Sequence, residues 1–268
     1  MNVIPHTFYS GALNGRRTCY VYLPKDYEHS DRRYPVIYLL HGRGGSETDW
    51  YYKGQAVQAV EQLNASGKLR DVIVVMPNDG GYDRGTFYVD WYDGSGHFEQ
   101  YIAYDLLNEI DREFRTLATR QARVIGGFSM GGYGSFMLAL RHPDKFGAAA
   151  SLSGVLGKPD DYPIWERARM FGPAGGPYER EYNLSWLAEQ SDSYSSRPEL
   201  FFNCGTEDAL LDGNRYFHEW LTQLEYRHFY EEHPGEHNWE YVRTHLPEVL
   251  QFFEQYFYAS MHDPVMRV

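Results

Sequence analysis

Short apolar runs alternate with longer amphipathic stretches along most of the chain. Residues 35–40 are continuously apolar, which is typical of a strand covered on both faces of a sheet. Residues 99–115 instead place Ile102, Leu106 and Ile110 on one helical face. The pattern predicts strands over 17–23, 35–40, 71–76, 122–126, 147–152, 199–204 and 227–230, and helices over 99–115, 132–141, 214–224 and 239–256. This alternation predicts an α/β fold in one domain over residues 1–268, with a mostly parallel central sheet and helices on both faces.

Residues 155–198 interrupt the alternation. The segment is rich in glycine, proline and aromatic residues and shows no clear periodicity. Long connections of this kind tend to be lids or binding loops. We therefore expect an irregular insertion that borders a substrate cleft.

The strand predicted over 122–126 runs directly into Gly127-Phe128-Ser129-Met130-Gly131, and a helix-forming stretch follows. A G-x-S-x-G sequence between a strand and a helix is typical of a nucleophile elbow, a sharp turn that exposes a serine hydroxyl. Glycine is needed on both sides because a Cβ atom would clash in so tight a turn. The sequence thus predicts Ser129 as the nucleophile of a serine hydrolase.

A serine nucleophile needs a base and an acid that orients the base. In this fold the acid follows the serine along the chain, and the histidine comes last. The turn after the strand at 199–204 offers three carboxylates, and Asp208 is favoured over Glu207 and Asp212 because it occupies a G-x-x-D turn just past the strand. Glu207 is expected to be a solvated neighbour.

The base is expected in the loop between the last strand and the last helix. His237 is favoured over His233, because it follows a Pro-Gly turn and immediately precedes the helix. We expect His233 to line the site at most.

The tetrahedral intermediate needs two preorganised hydrogen-bond donors for its oxyanion. The backbone N–H of Met130, next to the nucleophile, is the first candidate. The Gly-rich loop after the strand at 35–40 reads His41-Gly42-Arg43-Gly44-Gly45 and offers the second. The N–H of Arg43 is favoured there, with Gly44 as second choice.

Three segments together resemble the putative esterase family, and the resemblance extends over about residues 7–257. They are residues 38–45 with Asp49-Trp50, residues 126–134 and residues 234–239. That family includes esterase D (S-formylglutathione hydrolase), feruloyl and acetylxylan esterases, tributyrin esterases and the antigen 85 mycolyltransferases. The resemblance implies an α/β-hydrolase fold and the same roles for the residues chosen above. Arg43-Gly44-Gly45 differs from the Leu-Thr-Cys-like sequence of the esterase D group, which favours the feruloyl and carbohydrate esterases. Glu236 stands where the family often has a glycine.

Aromatic residues in the predicted loops are candidates for substrate contacts. Aromatic rings can stack on sugar rings or hold an aryl acid. On that basis we expect Trp50, Tyr88, Trp91 and Trp165 to bind substrate.

Composition narrows the partners further. The net charge is −12, which argues against nucleic acid or an anionic membrane as partner and leaves a small-molecule or carbohydrate ester. Cys19 and Cys204 are far apart in the sequence, and we expect both to be buried free thiols. The aspartates of residues 79–93 lack the spacing of a calcium loop. We therefore expect no metal, and the predicted chemistry needs no cofactor. Residues 1–10 lack the features of an export signal, which favours a cytoplasmic protein over a secreted mature form.

The sequence therefore predicts a serine carboxylic ester hydrolase that works through an acyl-enzyme, on short acyl esters or on feruloyl or acetyl esters of carbohydrates. An acyltransferase, an S-formylglutathione hydrolase-like thioesterase and a non-catalytic binding protein on the same fold are the alternatives. The pattern leaves the natural ester and the oligomeric state open.

Overall fold

The computed structural model describes residues 2–157, 166–191 and 197–262. Within these ranges a single sheet of eight strands has the order β1-β2-β4-β3-β5-β6-β7-β8. The first three strands in this order pair antiparallel, and all the remaining pairs are parallel. The strands are Val3–Ser10 (β1), Gly15–Tyr22 (β2), Val36–Leu40 (β3), Ile73–Pro77 (β4), Arg123–Phe128 (β5), Ala148–Leu152 (β6), Glu199–Gly205 (β7) and His228–His233 (β8).

Helices follow most of the parallel strands, as a parallel sheet requires. They are Asp49–Tyr52 (α1), Ala56–Ala65 (α2), Phe98–Gln100 (α3), Leu107–Glu113 (α4), Met130–Arg141 (α5), Arg167–Phe171 (α6), Pro177–Glu181 (α7), Leu184–Gln190 (α8), Leu211–Gln223 (α9) and Trp239–His262 (α10). A π-helical turn over Tyr101–Leu106 joins α3 to α4. In the described part of the chain, no helix has the length and apolar character needed to cross a bilayer.

Strand β3 shows how the sequence builds a core on both faces of the sheet. Its five residues are all buried, and successive side chains point to opposite faces. Val36, Tyr38 and Leu40 join the cluster under α5 and α9, whereas Ile37 and Leu39 join the cluster under α2 and α10. The predicted mostly parallel sheet with helices on both faces is thus confirmed.

The structure differs from the sequence prediction in several places, and the helices α1 and α2 after β3 were not among those predicted. Strand β1 was not predicted; it forms a hairpin with β2 in which Val3 pairs with Tyr22 and Ser10 with Gly15. The helix predicted over 99–115 contains the π turn in its first half. The insertion expected to be irregular contains the three short helices α6, α7 and α8 in its described parts.

The topology also decides where the loops meet. Strands β3, β5, β7 and β8 run parallel, so the loops after their carboxyl ends lie at the same edge of the sheet. Ligands of open α/β sheets bind in the crevice outside these strand ends. The four segments predicted to carry the second oxyanion donor, the nucleophile, the acid and the base each follow one of these strands.

Candidate active site

Ser129 occupies a strained turn between β5 and α5. Its φ of 58° and ψ of −118° lie outside the regions that L-residues normally adopt. A Cβ at Gly127 would come 2.2 Å from the carbonyl oxygen of Gly131, and one at Gly131 would come 2.1 Å from that of Leu40. No side chain fits at either glycine, so the sequence of the elbow dictates its shape, as predicted.

The three predicted triad residues come together in one line of hydrogen bonds. The Ser129 hydroxyl lies 2.9 Å from Nε2 of His237. Nδ1 of His237 lies 2.7 Å from Oδ2 of Asp208. In this arrangement the imidazole can take the serine proton at one nitrogen while the carboxylate holds the other.

Asp208 is positioned as a buried, ionised partner. Its residue is 5% exposed, in the turn that follows β7. Burial opposes ionisation and is the largest influence, but hydrogen bonds from His237 and from the backbone N–H of Leu210 outweigh it and keep the pKa of Asp208 below its ordinary value. The side chain is therefore a carboxylate at neutral pH, as an orienting acid must be.

The loop that carries His237 is anchored to the Asp208 turn by Glu207. Its carboxylate accepts a short hydrogen bond from the N–H of Gly235, and its own N–H donates to the carbonyl oxygen of Gly235 at 3.1 Å. The bond from Gly235 lowers the pKa of Glu207. Glu207 is exposed, as expected of a solvated neighbour. Its hydrogen bonds to Gly235 also join the turn of Asp208 to the loop of His237.

Aromatic rings support His237 from one side. The ring of Phe128 stacks on the imidazole with centroids 4.7 Å apart, and Trp239 packs against Phe128 at 5.1 Å. Phe128 is the second residue of the elbow motif, so the same short sequence supplies both the predicted nucleophile and a ring that supports the predicted base.

The loop after β3 lies beside the nucleophile. A Cβ at Gly42 would be 3.4 Å from the Cβ of Ser129, which places the following N–H groups near the serine hydroxyl. Met130 is the first residue of α5, and a helix start leaves its N–H without an intrahelical acceptor. The backbone of Arg43 and the N–H of Met130 thus remain the candidates for an oxyanion hole, with Gly44 adjacent.

His41 and Tyr88 hold this loop by hydrogen bonds to its backbone. Nε2 of His41 accepts the N–H of Asp79 at 3.1 Å, so Nδ1 carries the proton and donates to the carbonyl oxygen of Gly42 at 2.8 Å. The Tyr88 hydroxyl donates to the carbonyl oxygen of His41 at 2.9 Å. These bonds direct the carbonyl groups of the loop toward the interior of the protein.

A cavity of about 260 Å³ opens above Ser129. Its polar wall includes Lys53, whose ammonium group lies 3.0 Å from the carboxylate of Asp49. Its apolar wall is formed by Phe128 and Trp239. The complete lining is Gly42, Arg43, Gly44, Gly45, Asp49, Lys53, Phe128, Ser129, His237 and Trp239.

The expectation that Trp50, Tyr88 and Trp91 bind substrate is corrected. Trp50 is 1% exposed and packs edge-on against Trp239, Tyr88 is 0% exposed, and Trp91 is 3% exposed with its indole N–H donating to the carbonyl oxygen of Thr86. No face of these rings is free for a ligand, so each supports a loop of the site from inside. Trp165, the fourth residue of that prediction, lies outside the described residues.

Sequence reasoning also missed residues that the structure brings to the site. Lys53 and Trp239 line the cavity, and Glu207 and His41 hold its loops. Trp239 had a local signal, because it follows the predicted base closely and precedes the last helix. Cys19 and Cys204 are buried free thiols, as predicted.

Comparisons with known proteins identify the family of this chain. The family model described as "Putative esterase" matches residues 10–253. An endo-1,4-beta-xylanase/feruloyl esterase of Xylanibacter ruminicola is 35% identical over 223 residues, which is 80% of this chain and 30% of that protein. An acetyl esterase of Caldicellulosiruptor saccharolyticus is 24% identical over 276 residues, covering 95% of this chain and 99% of that one.

A solved structure of a ferulic acid esterase superimposes with a TM-score of 0.80 at 29% identity and covers 95% of this chain and 98% of its own. The chain spans less than a third of the length of the xylanase/feruloyl esterase, so the match concerns one part of that relative. The family match, by contrast, extends from the last residue of β1 into α10. The chain therefore belongs to the "Putative esterase" family and has the α/β-hydrolase fold of the esterases it resembles.

Proposed function

We propose that this protein is a serine carboxylic ester hydrolase with Ser129 as nucleophile, His237 as general base and Asp208 as orienting acid. The observation that carries the proposal is the continuous line of two short contacts, 2.9 Å from Ser129 to His237 and 2.7 Å from His237 to Asp208. Geometry of this kind activates a hydroxyl that is otherwise a weak nucleophile at neutral pH.

Acylation follows from the positions of these groups. Nε2 of His237 takes the proton of Ser129 as Oγ attacks the ester carbonyl carbon, and the Asp208 carboxylate stabilises the imidazolium. The backbone N–H groups of Arg43 and Met130 hold the oxyanion. His237 then gives the proton to the departing alkoxide, which leaves an ester on Ser129.

Deacylation repeats the sequence with water. His237 takes a proton from the water molecule, hydroxide attacks the acyl carbon, and the proton returns to Ser129 as the carboxylic acid leaves. The 35% exposure of the His237 side chain supports this step, because water can reach the base directly.

For the substrate, we propose short acyl esters or feruloyl and acetyl esters of carbohydrates. A cavity of about 260 Å³ is close to the lower limit of ligand pockets, which suits a small acyl group more than a long chain. The apolar wall of Phe128 and Trp239 can contact one aryl or methyl group. The names of the feruloyl, acetyl and ferulic acid esterases among the similar proteins agree with this choice.

The test compares wild type with Ser129→Ala on p-nitrophenyl acetate, butyrate and octanoate, methyl ferulate and acetylated xylan. We expect wild type to prefer the short or feruloyl substrates and the variant to lose at least about 10³-fold in kcat, because only binding and the oxyanion hole remain. Ser66→Ala, at the end of α2, is the matched control and should keep its activity. Labelling of wild type but not of Ser129→Ala by a fluorophosphonate would identify the nucleophile independently.

Three results would contradict the proposal. Activity retained by Ser129→Ala would remove the assigned nucleophile, and absence of both cleavage and labelling in wild type would favour a binding protein. Faster consumption of ester upon addition of an alcohol acceptor, with transfer of the acyl group to it, would identify an acyltransferase instead.

A further inference from the structure

A second cavity adjoins the one that opens above Ser129. It has a volume of about 330 Å³ and is lined by Arg43, Gly44, Asp83 and Arg84. Arg43 and Gly44 belong to the linings of both cavities, so the two meet at the loop that offers the second oxyanion donor. The ester chemistry described above leaves this second cavity without a role.

A tight turn forms one wall of the second cavity. The N–H of Gly85 donates to the carbonyl oxygen of Tyr82 at 2.8 Å, so Asp83 and Arg84 are the central residues of a four-residue turn. Both are exposed. A Cβ at Gly44 would lie 3.7 Å from the carbonyl oxygen of Asp83, so the turn packs against the loop after β3.

Arg43 packs on this turn through the stem of its side chain. A Cβ at Gly85 would lie 3.0 Å from Cγ of Arg43 and 3.5 Å from its Cβ. The residue is exposed, and its guanidinium forms no ion pair within the described residues. The proposed mechanism uses only the backbone N–H of Arg43, so the charge at the end of this side chain is available for a ligand.

Arg84 has only a weak partner. Its Nη1 lies 3.9 Å from Oε1 of Glu166, and its side chain is 61% exposed. The same carboxylate accepts the hydroxyl of Tyr82 at 2.9 Å and the guanidinium of Arg169 at 3.3 Å. An ion pair that is so long and so exposed contributes little. Arg84 can therefore turn toward a ligand anion without losing a strong contact.

The charge of the second cavity is opposite to that of the whole chain. The chain has a net charge of −12, whereas the cavity contains two guanidinium groups and one carboxylate, that of Asp83. Among the described residues, Asp83 forms no ion pair with either arginine. One positive charge is thus in excess in a concave site, where the field of a charge is focused. A carboxylate complements it, because a guanidinium can give a carboxylate two parallel hydrogen bonds.

The position of the base decides which part of an ester reaches this cavity. His237 gives its proton to the departing alkoxide, so the alcohol part must lie next to the imidazole. The acyl part extends from the carbonyl carbon in another direction. The second cavity shares the oxyanion loop with the first but is not lined by His237, so it fits the far end of the acyl group.

We propose that Arg43 and Arg84 select esters whose acyl group ends in a free carboxylate, that is, monoesters of short dicarboxylic acids. The inference rests on the proposed esterase function and narrows its substrate class. The ester carbonyl binds at Ser129, and the terminal carboxylate binds the two guanidinium groups. Hydrolysis follows the steps given above, consumes one water molecule and releases the alcohol and the dicarboxylic acid.

The first test compares monoethyl adipate with ethyl hexanoate in a pH-stat at neutral pH and low ionic strength. The two acyl chains have equal length and differ in the terminal carboxylate alone. Monoethyl succinate with ethyl butyrate, and monoethyl glutarate with ethyl pentanoate, repeat the comparison for shorter chains. At the best length we expect wild type to have a kcat/KM about tenfold higher for the monoester. Added salt should reduce this preference, because exposed charges are screened.

Variants of the turn locate the preference in the second cavity. We expect Arg84→Gln to lower the ratio of the two kcat/KM values about threefold, and Asp83→Asn to raise it. Arg84→Lys keeps the charge and should recover part of the ratio. Arg16→Gln, at an exposed arginine of β2, is the matched control and should keep the wild-type ratio. A general loss of activity cancels in the ratio, so it does not imitate a loss of selectivity.

Binding of the free acids separates this inference from the esterase assignment. Calorimetric titration of wild type with adipate and with hexanoate requires no turnover, and we expect adipate to bind about tenfold more tightly. A preference for adipate without any ester cleavage would reject the esterase and keep the anion site. Equal affinity for the two acids, or an unchanged ratio in a folded Arg84→Gln variant, would overturn the proposal.

Discussion

The two halves of the active site are held in different ways. On the nucleophile side, the elbow at Ser129 is enforced by backbone sterics, since Gly127 and Gly131 leave no room for a Cβ atom. On the base side, the loop of His237 is exposed and is held by polar side chains, above all by Glu207 bound to Gly235. One half depends on close packing, which is insensitive to pH, and the other depends on charges.

This difference predicts two kinds of sensitivity. One added atom is enough to disrupt a sterically constrained turn, because protein interiors are close-packed and cannot expand locally. Loss of one hydrogen bond at an exposed site has a smaller effect, because water can partly replace it. Substitutions of the elbow glycines should therefore affect folding and activity together, whereas substitutions of the exposed polar residues that hold the loop of His237 should affect activity alone.

The largest effect is expected for Gly131→Ala. The new Cβ would lie 2.1 Å from the carbonyl oxygen of Leu40, which belongs to the backbone of a central strand and cannot move aside. We expect a loss of about 3 kcal/mol or more in the free energy of unfolding, together with loss of esterase activity. Urea unfolding and initial rates on p-nitrophenyl acetate measure both.

Gly11→Ala is the matched control, because a Cβ there meets nothing within 4 Å. If Gly131→Ala retained wild-type stability, the elbow would be less constrained than its geometry indicates, and the contrast between the two halves would disappear.

The second effect concerns pH and Asp208. Its pKa is lowered in the folded protein, so the carboxylate stabilises the fold above its unfolded pKa, and this contribution is lost as the pH falls through the lower, folded pKa. We expect wild type to lose free energy of unfolding below about pH 4, and Asp208→Asn to lose less over the same window. Urea unfolding at several pH values between 2 and 7 measures the difference.

At neutral pH the same Asp208→Asn variant should lose about 10³- to 10⁴-fold in kcat, because the amide cannot stabilise the imidazolium. A variant with full activity would transfer the role of the acid to Glu207 or Asp212.

The smallest effect is expected for Glu207→Ala. Loss of the bond to Gly235 frees the base loop, and we expect kcat to fall about tenfold, with KM for p-nitrophenyl acetate and the unfolding midpoint nearly unchanged. Glu207→Gln keeps an acceptor for the N–H of Gly235 and should recover most of the rate. Glu240→Ala, an exposed carboxylate on the first turn of α10, is the control. A drop in stability without a change in kcat would give Glu207 a structural role only.

Local patterns sufficed for much of the fold and for the central residues of the site. The apolar runs predicted seven of the strands, and the order of Ser129, Asp208 and His237 followed from the strands that precede them. Strand β1 was not predicted because two of its three inward-facing residues, His6 and Ser10, are polar, and because its only strand partner is its own hairpin neighbour. Its identity depends on pairing with β2, which no local window contains.

The aromatic residues show a different limit. Trp50 and Tyr88 do lie in loops near the site, but whether a ring faces the cleft or the interior is decided by residues distant in sequence. Trp50 is covered by Trp239 from the other end of the chain, which takes the place on the cavity wall that Trp50 was expected to hold. Glu207 was likewise underestimated because its partner, Gly235, belongs to a different loop.

The order of the triad along the chain has a consequence for protein synthesis. Ser129 and His237, the proposed nucleophile and base, are separated by 108 positions, and His237 follows β8, the last strand in the described part of the chain. A nascent chain that has completed the elbow still lacks both the acid and the base, so its serine is no more reactive than any other alcohol. The reactive centre is assembled only when β7, β8 and the start of α10 have joined the sheet, and the unfinished polypeptide is protected from its own chemistry until then.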